Sequence, residues 1–490
     1  MTTTNPYDEW QDREAREHGA EPKRALFCPP RTGKTRATIK SMKVAGVRRP
    51  LIVAPLAVCP QWAKELALAG FAVAELYDMP RPQLLTALGA FARHNTHAAY
   101  VIGWRRIASK TTEERREKKR SAIQDALLRL NADALVLDES HEMASAGADQ
   151  SRVARQLAWQ APWVRILTGT PITNHYGSLF CQAMALDPRP WWEGGFGKSY
   201  EALAQKFLMR DTMYPSRVLG HHPDMSQFMD RLKPFVTTVR REDLFGPDQW
   251  LESEVAVELP TSARNTYDKL AKEWLLDDDT LQLDAAHVLT RMIRLQQIAA
   301  GYVTDDAGVN HTLHTAKLDE LMRQLTNVTA AGEKAVVFHR FTWEGEEIVR
   351  RLRDQEIESH TIRGDIPASV RASIVDRMAG PNPAVAVVQT QSGGVGISFA
   401  EVAYQFVLSE GYSFVQAEQA HDRTFKPNTA RFVTYIRAAD TIDMFVAALL
   451  RSKANLHQTI KNIDREEIAF GRIKRPKLSP PRKRKEPAFT

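Results

Sequence analysis

The chain has 490 residues, more than one hydrophobic core usually supports, so two domains are expected. Its hydrophobic content of 43% and charged content of 26% are ordinary for a globular protein, and its longest apolar run, Leu51 to Val58, is too short to span a bilayer. The eight Lys/Arg and one Glu of residues 471–490 account for the whole net charge of +7, so bulk basicity of the core is excluded as a means of binding nucleic acid.

The cysteine content and the N-terminal sequence favour a reducing, intracellular setting. Cys28, Cys59 and Cys181 form neither a metal-like cluster nor a complete set of disulfides. Met1 to Gly19 is polar and does not resemble a secretory leader.

Residues 5–18 are predicted to be a loop that enters a polar helix. Gln11 could read adenine, because an amide matches both a donor and an acceptor, and Tyr7 or Trp10 could stack on the base. A surface helix cap explains the same residues equally well.

The stretch from Leu26 to Thr35 is typical of a phosphate-binding loop. The apolar run Ala25–Phe27 predicts the end of a buried strand, and the helical spacing after Thr35 predicts a helix. Two prolines and Gly33 lie between them, so backbone N–H groups and the positive end of the helix would face a triphosphate.

Each polar residue at the end of this loop has a predicted role. Lys34 would reach the β and γ phosphates of ATP, and the Thr35 hydroxyl would bind Mg²⁺. Thr32 and Gly33 would supply backbone contacts, whereas Cys28 replaces the first glycine of the usual pattern.

Two further strands and a charged stretch follow. The β-branched run Pro50–Pro55 and the run Ala98–Trp104 predict buried strands. The stretch Thr111–Arg120 opens with a capping box from Thr111 to Glu114. It is interpreted as a solvated face, although it could also touch DNA phosphates.

An acid pair follows the next predicted strand. Ala134–Leu137 predicts a buried parallel strand, and Asp138 and Glu139 lie at its carboxyl end, where ligands bind in open α/β sheets. Asp138 would hold Mg²⁺ through water, and Glu139 would orient and deprotonate the attacking water. Capping of a helix is the plain alternative.

The second half of the chain repeats the α/β pattern. Residues 175–330 are predicted to be mostly helical with loops. Buried strands are then predicted in three places, at 334–339, 384–388 and 404–408.

Three stretches, in this order, resemble motifs I, II and III of the superfamily 2 helicases. They are Gly33–Thr35, Asp138–His141 and Leu167–Asn174. Within that superfamily the chain is similar to the Swi/Snf-type DNA translocases. Residues 51–66 resemble their motif Ia, and the region of Gln11 resembles their adenine-reading Q motif.

The resemblance continues in the second half. Residues 334–339 resemble motif IV, and Gln389–Ser398 resembles motif V. Gln416–Pro427 resembles motif VI, in which Lys426 stands where the family has its second arginine.

This resemblance implies an α/β fold with two RecA-like parallel-sheet lobes of the P-loop NTPase type and helical insertions. ATP and Mg²⁺ would lie in the cleft between the lobes. The expected boundaries are 1–245 for the first lobe with the start of the helical insertion, 246–470 for the helical segment and second lobe, and 471–490 for a basic, disordered tail.

It also implies roles for individual residues. Arg423, assisted by Lys426, would stabilise the charge of the transition state, and His141 joins Asp138 and Glu139 in the catalytic set. The nucleic-acid backbone would be held by motif residues that include Pro55, Thr390, Gly393 and Gly394.

The predicted function is ATP-driven translocation on double-stranded DNA, without sequence specificity, in replication, recombination or repair. A strand-separating DNA or RNA helicase remains an alternative. A DNA-binding scaffold with little ATPase activity also remains, because of Cys28 and Lys426.

The expected protein is a monomer with no membrane association, and the sequence names no protein partner. It would work in the cytoplasm of a bacterial or phage-infected cell, or in the nucleus of a eukaryote. The basic tail could bind DNA, act as a nuclear localisation signal or simply keep the protein soluble.

Overall fold

The computed structural model describes residues 6–451, except for gaps at 95–97, 118, 173–176, 198, 211–217, 223, 247–249, 277–284, 391–397, 414–415, 418–419, 421 and 427–428. The basic tail therefore lies outside the described residues. The chain divides into two compact units, which meet in sequence between Asp248 and Gln249.

The strands of the first unit are short and mostly buried. In chain order they are β1 Lys23–Phe27, β2 Pro50–Ala54, β3 Val73–Glu75, β4 Ala99–Gly103, β5 Ala134–Asp138, β6 Trp163–Thr168, β7 Leu208–Arg210, β8 Val218–His221 and β9 Val236–Thr237.

Helices connect these strands. They are α1 Pro6–His18, α2 Lys34–Val44, α3 Cys59–Leu68, α4 Arg81–His94, α5 Trp104–Ile107, α6 Thr112–Arg116, α7 Ala122–Arg129, α8 Asp149–Gln160, α9 Ser178–Leu186, α10 Tyr200–Phe207, α11 Met225–Leu232 and α12 Arg241–Phe245. Short 3-10 helices also occur at Ser140–Met143, Trp191–Glu193 and Lys233–Phe235.

Among the described residues, seven strands of the first unit form one parallel sheet in the order β3-β4-β2-β5-β6-β1-β9. Separate apolar clusters contain alternate residues of the same strands; for example, Leu51 and Val53 belong to one cluster and Ile52 to another. Strands such as β2 and β5 are therefore continuous apolar runs, as is typical of a parallel sheet buried on both faces.

The second unit is described from Trp250 onward. Its strands are β10 Trp250–Val257, β11 Tyr302–Thr304, β12 Asn310–Thr312, β13 Ala335–His339, β14 Ser359–Ile362, β15 Val385–Gln389, β16 Tyr404–Val407 and β17 Arg431–Ala438. Its longer helices are α13 Thr261–Leu276, α14 Ala285–Ala300, α15 Ala316–Ala330, α16 Thr342–Asp354, α17 Ala368–Ala379 and α18 Ile442–Arg451, and a 3-10 helix spans Asp422–Thr424.

Within its described residues, this unit has a six-stranded parallel sheet in the order β10-β17-β16-β13-β15-β14. The fold is thus α/β with two parallel sheets covered by helices, as the resemblance implied.

The interpretation of residues 175–330 as mostly helical was incomplete, because this region also contains β7 to β12. The clearest omission is β10, which pairs with β17 over its full length. Two of its eight residues, Glu252 and Glu254, are charged and exposed, as is common on an edge strand, and these charges hide its apolar pattern.

Two smaller differences concern the first unit. Trp104 begins α5 instead of ending a strand, and α1 is not simply polar, because it buries one face that includes Trp10 and Gln11. Among the helices that the structure describes, none is both long enough and apolar enough to cross a membrane.

Candidate functional site

The carboxyl ends of β1, β5 and β6 lie side by side because these strands are neighbours in the first sheet. Phe27 is opposite Thr168, and Asp138 is opposite Leu167. The loop after β1, the acid pair at the carboxyl end of β5 and the threonine that ends β6 therefore meet at one edge, which is where parallel α/β sheets bind ligands.

The loop between β1 and α2 has the tight backbone of a phosphate-binding loop. Gly33 adopts a φ of +84°, and a β-carbon there would lie 2.4 Å from Gln11 Nε2, so only glycine fits. Trp10 Nε1 donates a hydrogen bond to the Thr32 carbonyl at 2.8 Å, and Thr32 Oγ1 donates one to the Pro29 carbonyl at 2.8 Å. These two bonds fix the loop before any ligand binds.

Lys34 places a buried cation inside this loop. Its Nζ donates to the carbonyl oxygens of Cys28 at 2.8 Å and Pro29 at 3.0 Å. Neutral carbonyls do not neutralise an ammonium group, so a phosphate oxygen would be a stronger partner. Thr35 follows on α2 and is partly buried.

Gln11 lies beside the same loop with an unused hydrogen-bonding group. Its side chain is fully buried beside the Tyr7 hydroxyl, which interacts with it as a weak hydrogen-bonding partner, and neither amide atom has a well-formed hydrogen bond among the described residues. A buried amide without a well-formed hydrogen bond costs about 1–3 kcal/mol, which a ligand bound there could recover. Complete burial excludes the surface helix cap considered for this residue.

Helix α1, which carries Gln11, is anchored to the sheet by a buried arginine. Arg165 lies on β6 and is fully buried. Its Nη2 donates to the carbonyl oxygens of His18 at 2.7 Å and Gly19 at 3.1 Å, and its Nη1 donates to that of Glu21 at 2.9 Å. A cation at the carboxyl end of a helix is favourable.

Asp138 is held in position by two tryptophans. Its Oδ2 accepts a hydrogen bond from Trp62 Nε1 at 2.7 Å, and its backbone carbonyl accepts one from Trp104 Nε1 at 2.7 Å. Burial, reinforced by the charge of Glu139, raises the pKa of Asp138 to about 6. A divalent cation would relieve this unfavourable concentration of negative charge.

Glu139 has an unusual backbone conformation, and His141 connects its side chain to Thr168 on the neighbouring strand β6. Its φ is +50°, which is uncommon for a residue other than glycine. His141 Nδ1 lies 3.2 Å from Glu139 Oε2 and 3.1 Å from Thr168 Oγ1. Burial lowers the pKa of His141, but the hydrogen bond to Glu139 and its charge outweigh that effect, so the pKa is raised.

Cys28 replaces the first glycine of the family pattern, but its side chain does not occupy the phosphate-binding loop. Its side chain is buried in the core, and its Sγ donates to the Thr237 carbonyl on β9 at 3.6 Å. Burial raises the pKa of the thiol to about 12, so it stays neutral. The core therefore accommodates the side chain of residue 28, and the loop stays open.

The two cations predicted in motif VI have different environments. Arg423 is buried on the 3-10 helix Asp422–Thr424, and its carbonyl accepts a hydrogen bond from the Phe399 N–H at 2.8 Å. Lys426 is partly exposed and forms an ion pair with Glu401 at 2.6 Å.

The residues predicted to hold nucleic acid are only partly described. Gly393 and Gly394 lie outside the described residues. The Pro55 carbonyl accepts the Val58 N–H at 2.8 Å, and Thr390 donates to the His339 carbonyl through both its N–H and its hydroxyl, at 2.9 and 3.0 Å.

Sequence reasoning missed the residues that support the site. Trp62, Trp104 and Arg165 act through contacts with distant parts of the chain, and their immediate sequence gives no sign of those contacts. In the sequence, Thr168 is marked only by the resemblance of Leu167–Asn174 to motif III. The strand order would have indicated that it lies near His141.

A phosphate loop with a buried lysine, an acid pair on a nearby strand and a parallel sheet together define a P-loop nucleotide-binding protein. Two family models match the chain: the SNF2-related domain over residues 19–233 and the helicase conserved C-terminal domain over residues 316–428. The chain therefore contains an SNF2-related domain followed by a helicase C-terminal domain.

Individual proteins resemble parts of the chain. The DNA annealing helicase and endonuclease ZRANB3 of Bos taurus is 24% identical over 355 residues, which are 70% of this chain and 31% of that protein. Putative protein p41 of Acyrthosiphon pisum secondary endosymbiont phage 1 is 26% identical over 182 residues, which are 36% of this chain and 38% of that protein. The chain thus spans about a third of the length of these relatives.

A solved structure also matches. The Sulfolobus solfataricus SWI2/SNF2 ATPase core in complex with dsDNA is 17% identical to this chain, with 94% of each chain covered and a TM-score of 0.38.

Proposed function

We propose that the protein is a DNA-dependent ATPase that uses hydrolysis to translocate along double-stranded DNA. The observation that carries the proposal is the arrangement of Lys34, Asp138, Glu139 and the buried Gln11 amide around one edge of the first sheet. The domain pair supports the helicase-type class, and the name of the ZRANB3 relative supports DNA as the polymer.

The residues present fit ATP with Mg²⁺. Gln11 would take the adenine, the loop N–H groups and Lys34 would take the phosphates, and Thr35 with Asp138 would hold Mg²⁺. When bound, the ion would neutralise phosphate charge during transfer. Asp138 suits this role because its burial already disfavours a bare carboxylate.

Glu139 is the group proposed to orient and deprotonate the attacking water. Glu139 directly follows a buried strand and has an uncommon backbone conformation. Strained conformations of this kind cluster at functional sites. His141 contacts both Glu139 and Thr168, so it would hold the carboxylate in place. Arg423 is proposed to supply the cation for the transition state.

We also propose that the second unit contacts the DNA backbone. A cavity of about 310 Å³ lies among residues that end or follow β13, β14 and β15, and its lining includes Thr342, Thr361, Arg363 and Gln389. Hydroxyl, amide and guanidinium donors are the groups that proteins place on phosphates. Such contacts carry no sequence information, so binding should be non-specific.

The setting is also proposed. We also propose that the protein works as a monomer, in the cytoplasm of a bacterial or phage-infected cell, and the phage protein among the relatives supports that location. Sedimentation of the purified protein would test the monomer, and fractionation of infected cells would test the location.

The deciding experiment measures ATP turnover with no polymer, single-stranded DNA, duplex DNA and RNA. Duplex DNA should stimulate turnover most. Stimulation by single strands together with strand displacement would favour the helicase alternative. Absence of turnover with every polymer, while DNA still binds, would favour the scaffold.

A further inference from the structure

The turn between β13 and α16 contains a buried arginine that bonds to two other parts of the second unit. Arg340 directly follows β13 and is largely buried. Its Nη1 donates to Gln296 Oε1 on α14 at 2.5 Å and to the carbonyl of Glu410, which follows β16, at 3.4 Å. Its guanidinium carbon lies 4.4 Å from the centre of the Tyr412 ring. One side chain therefore connects the end of β13 with α14 and with the segment after β16.

The Arg340 guanidinium is held by neutral groups. In the part of the second unit that the structure describes, no carboxylate lies within ion-pair distance of it. By contrast, Lys317 and Arg437, which are also buried in this unit, each lie beside a carboxylate. Burial of a cation without a counter-ion is costly, so a contribution to stability does not by itself explain Arg340. Its planar fork and the ring that it covers instead fix the relative positions of the groups that it contacts.

The same turn is bonded through its backbone to the end of β15. The Arg340 carbonyl accepts a hydrogen bond from Gln389 Nε2 at 3.3 Å, and Gln389 is the last residue of β15. Thr390 donates to the His339 carbonyl through both its N–H and its hydroxyl, at 2.9 and 3.0 Å. The turn itself is fixed by Glu344, which accepts the Arg340 N–H at 3.2 Å. Residues 339–340 therefore hold the ends of two different segments.

These two segments have different proposed roles. Gln389 begins the stretch that resembles motif V, which includes residues proposed to hold DNA. Tyr412 lies shortly before the stretch that resembles motif VI, and that stretch contains Arg423, the proposed cation for the transition state. Arg340 is thus bonded to one segment proposed for DNA and to another that leads to the residue proposed for ATP hydrolysis.

We propose that Arg340 is a positioning residue that couples DNA contact at the end of β15 to the segment that carries Arg423. DNA bound there would restrain Gln389, the β13 turn would be restrained with it, and the guanidinium would restrain Tyr412 in turn. Ordering one bonded segment lowers the cost of ordering the other. Arg340 itself would touch neither DNA nor ATP. The inference rests on the proposed function for the reaction that is coupled.

The test is Arg340→Met, which keeps a long side chain beside the Tyr412 ring but removes the guanidinium. ATP turnover is measured without polymer and over a range of duplex DNA concentrations. Maximal stimulation by duplex should fall about 10-fold, a typical size for coupling between sites. Turnover without polymer, the KM for ATP and the duplex concentration for half-maximal stimulation should stay unchanged. Arg340→Lys keeps the charge without the planar fork and should recover only part of the stimulation.

The matched control is Arg264→Met, which removes the same kinds of contact elsewhere in the second unit. Arg264 donates to the carbonyls of Ala439 at 2.6 Å and Asp440 at 2.9 Å, and its guanidinium carbon lies 5.6 Å from the centre of the Tyr267 ring. These contacts join α13 to the turn after β17, so stimulation by duplex should stay at the wild-type level. Thermal melting of both variants shows how much each change destabilises the fold.

Wild-type stimulation in Arg340→Met, or an equal loss of stimulation in Arg264→Met, would overturn the coupling role and leave the proposed function standing. If Arg340→Met does not fold, Tyr412→Leu removes the ring that the guanidinium covers and should show the same selective loss. Wild-type stimulation in Tyr412→Leu would then overturn the inference. A wild-type protein that no polymer stimulates would refute the proposed function, and the coupling with it.

Discussion

The two units bury charged side chains in different ways at the carboxyl edges of their sheets. Among the described residues of the first unit, the Lys34 ammonium donates to loop carbonyls, and the Gln11 amide has no well-formed hydrogen bond. In the second unit, Lys317 lies 2.8 Å from Asp443, and Arg437 lies 2.7 Å from Glu410. Burial of charge therefore does not by itself mark a functional site.

The two units differ in whether the protein itself supplies hydrogen-bonding or ionic partners for these buried groups. The second network continues through Ser409, which receives a hydrogen bond from Lys317 and donates one to Glu344, and Glu344 also accepts the N–H groups of Arg340 and Phe341. These groups are satisfied, so we interpret the network as structural. The carboxyl edge of the first sheet leaves hydrogen-bonding groups that a bound ligand would satisfy.

The largest expected effect is on the first edge. Glu139→Gln should lower ATP turnover by ~10³-fold while ATP still binds, because the amide fills the same space but cannot take a proton. Lys34→Ala should remove both binding and turnover. Turnover and nucleotide binding are measured side by side, and normal turnover in Glu139→Gln would refute the assignment of the base.

Arg423 and Lys426 provide the next comparison. Arg423→Ala should lower turnover at saturating duplex by up to ~10³-fold, by analogy with arginine fingers. Lys426→Ala should cost less, because lysine is a hydrated point charge and here has an exposed ion pair with Glu401.

Lys426→Arg separates the two possible roles of this lysine. Maintained or increased turnover would support a role at the phosphate, since arginine matches two phosphate oxygens. A change only in the DNA concentration needed for stimulation would place Lys426 on a DNA-facing or solvated loop. If Arg423→Ala turns over normally, another residue supplies the cation.

Mutations in the hydrogen-bonded network of the second unit should lower the stability of the protein. Lys317→Met leaves Asp443 buried without its cation, and breaking such a pair costs about 3–5 kcal/mol of unfolding free energy. Replacing both residues by apolar ones should cost less than the single change. Lys269→Met, which removes an exposed pair with Glu273, is the control and should leave the melting curve nearly unchanged. An equally small effect of Lys317→Met would contradict the structural interpretation.

Much of the candidate site at the carboxyl edge of the first sheet could be predicted, because its residues lie in short, recognisable stretches of sequence. The strand, loop and helix around Gly33 and the acids after β5 each follow from a short pattern. The supports were not predictable in this way, because Trp62 reaches Asp138 and Arg165 reaches α1 only after the sheet forms. The edge strand β10 was missed because its charges interrupt the apolar alternation.

The smallest expected effect concerns Gln11, where the comparison is sharpest. If its amide reads adenine, Gln11→Ala should raise the ATP concentration for half-maximal turnover by about tenfold, since one lost hydrogen bond is worth about 1–1.5 kcal/mol. Preference for ATP over GTP should fall by a similar factor. The control is Gln83→Ala, because Gln83 is exposed on α4.

Stability without nucleotide separates this role from a structural one. A buried amide without a well-formed hydrogen bond contributes a desolvation penalty, so its removal should not lower the melting temperature of the nucleotide-free protein. A structural glutamine would behave in the opposite way, with a lower melting temperature and unchanged ATP and GTP kinetics. That second outcome would show that Gln11 belongs with the satisfied groups of the second unit, and that adenine is recognised elsewhere.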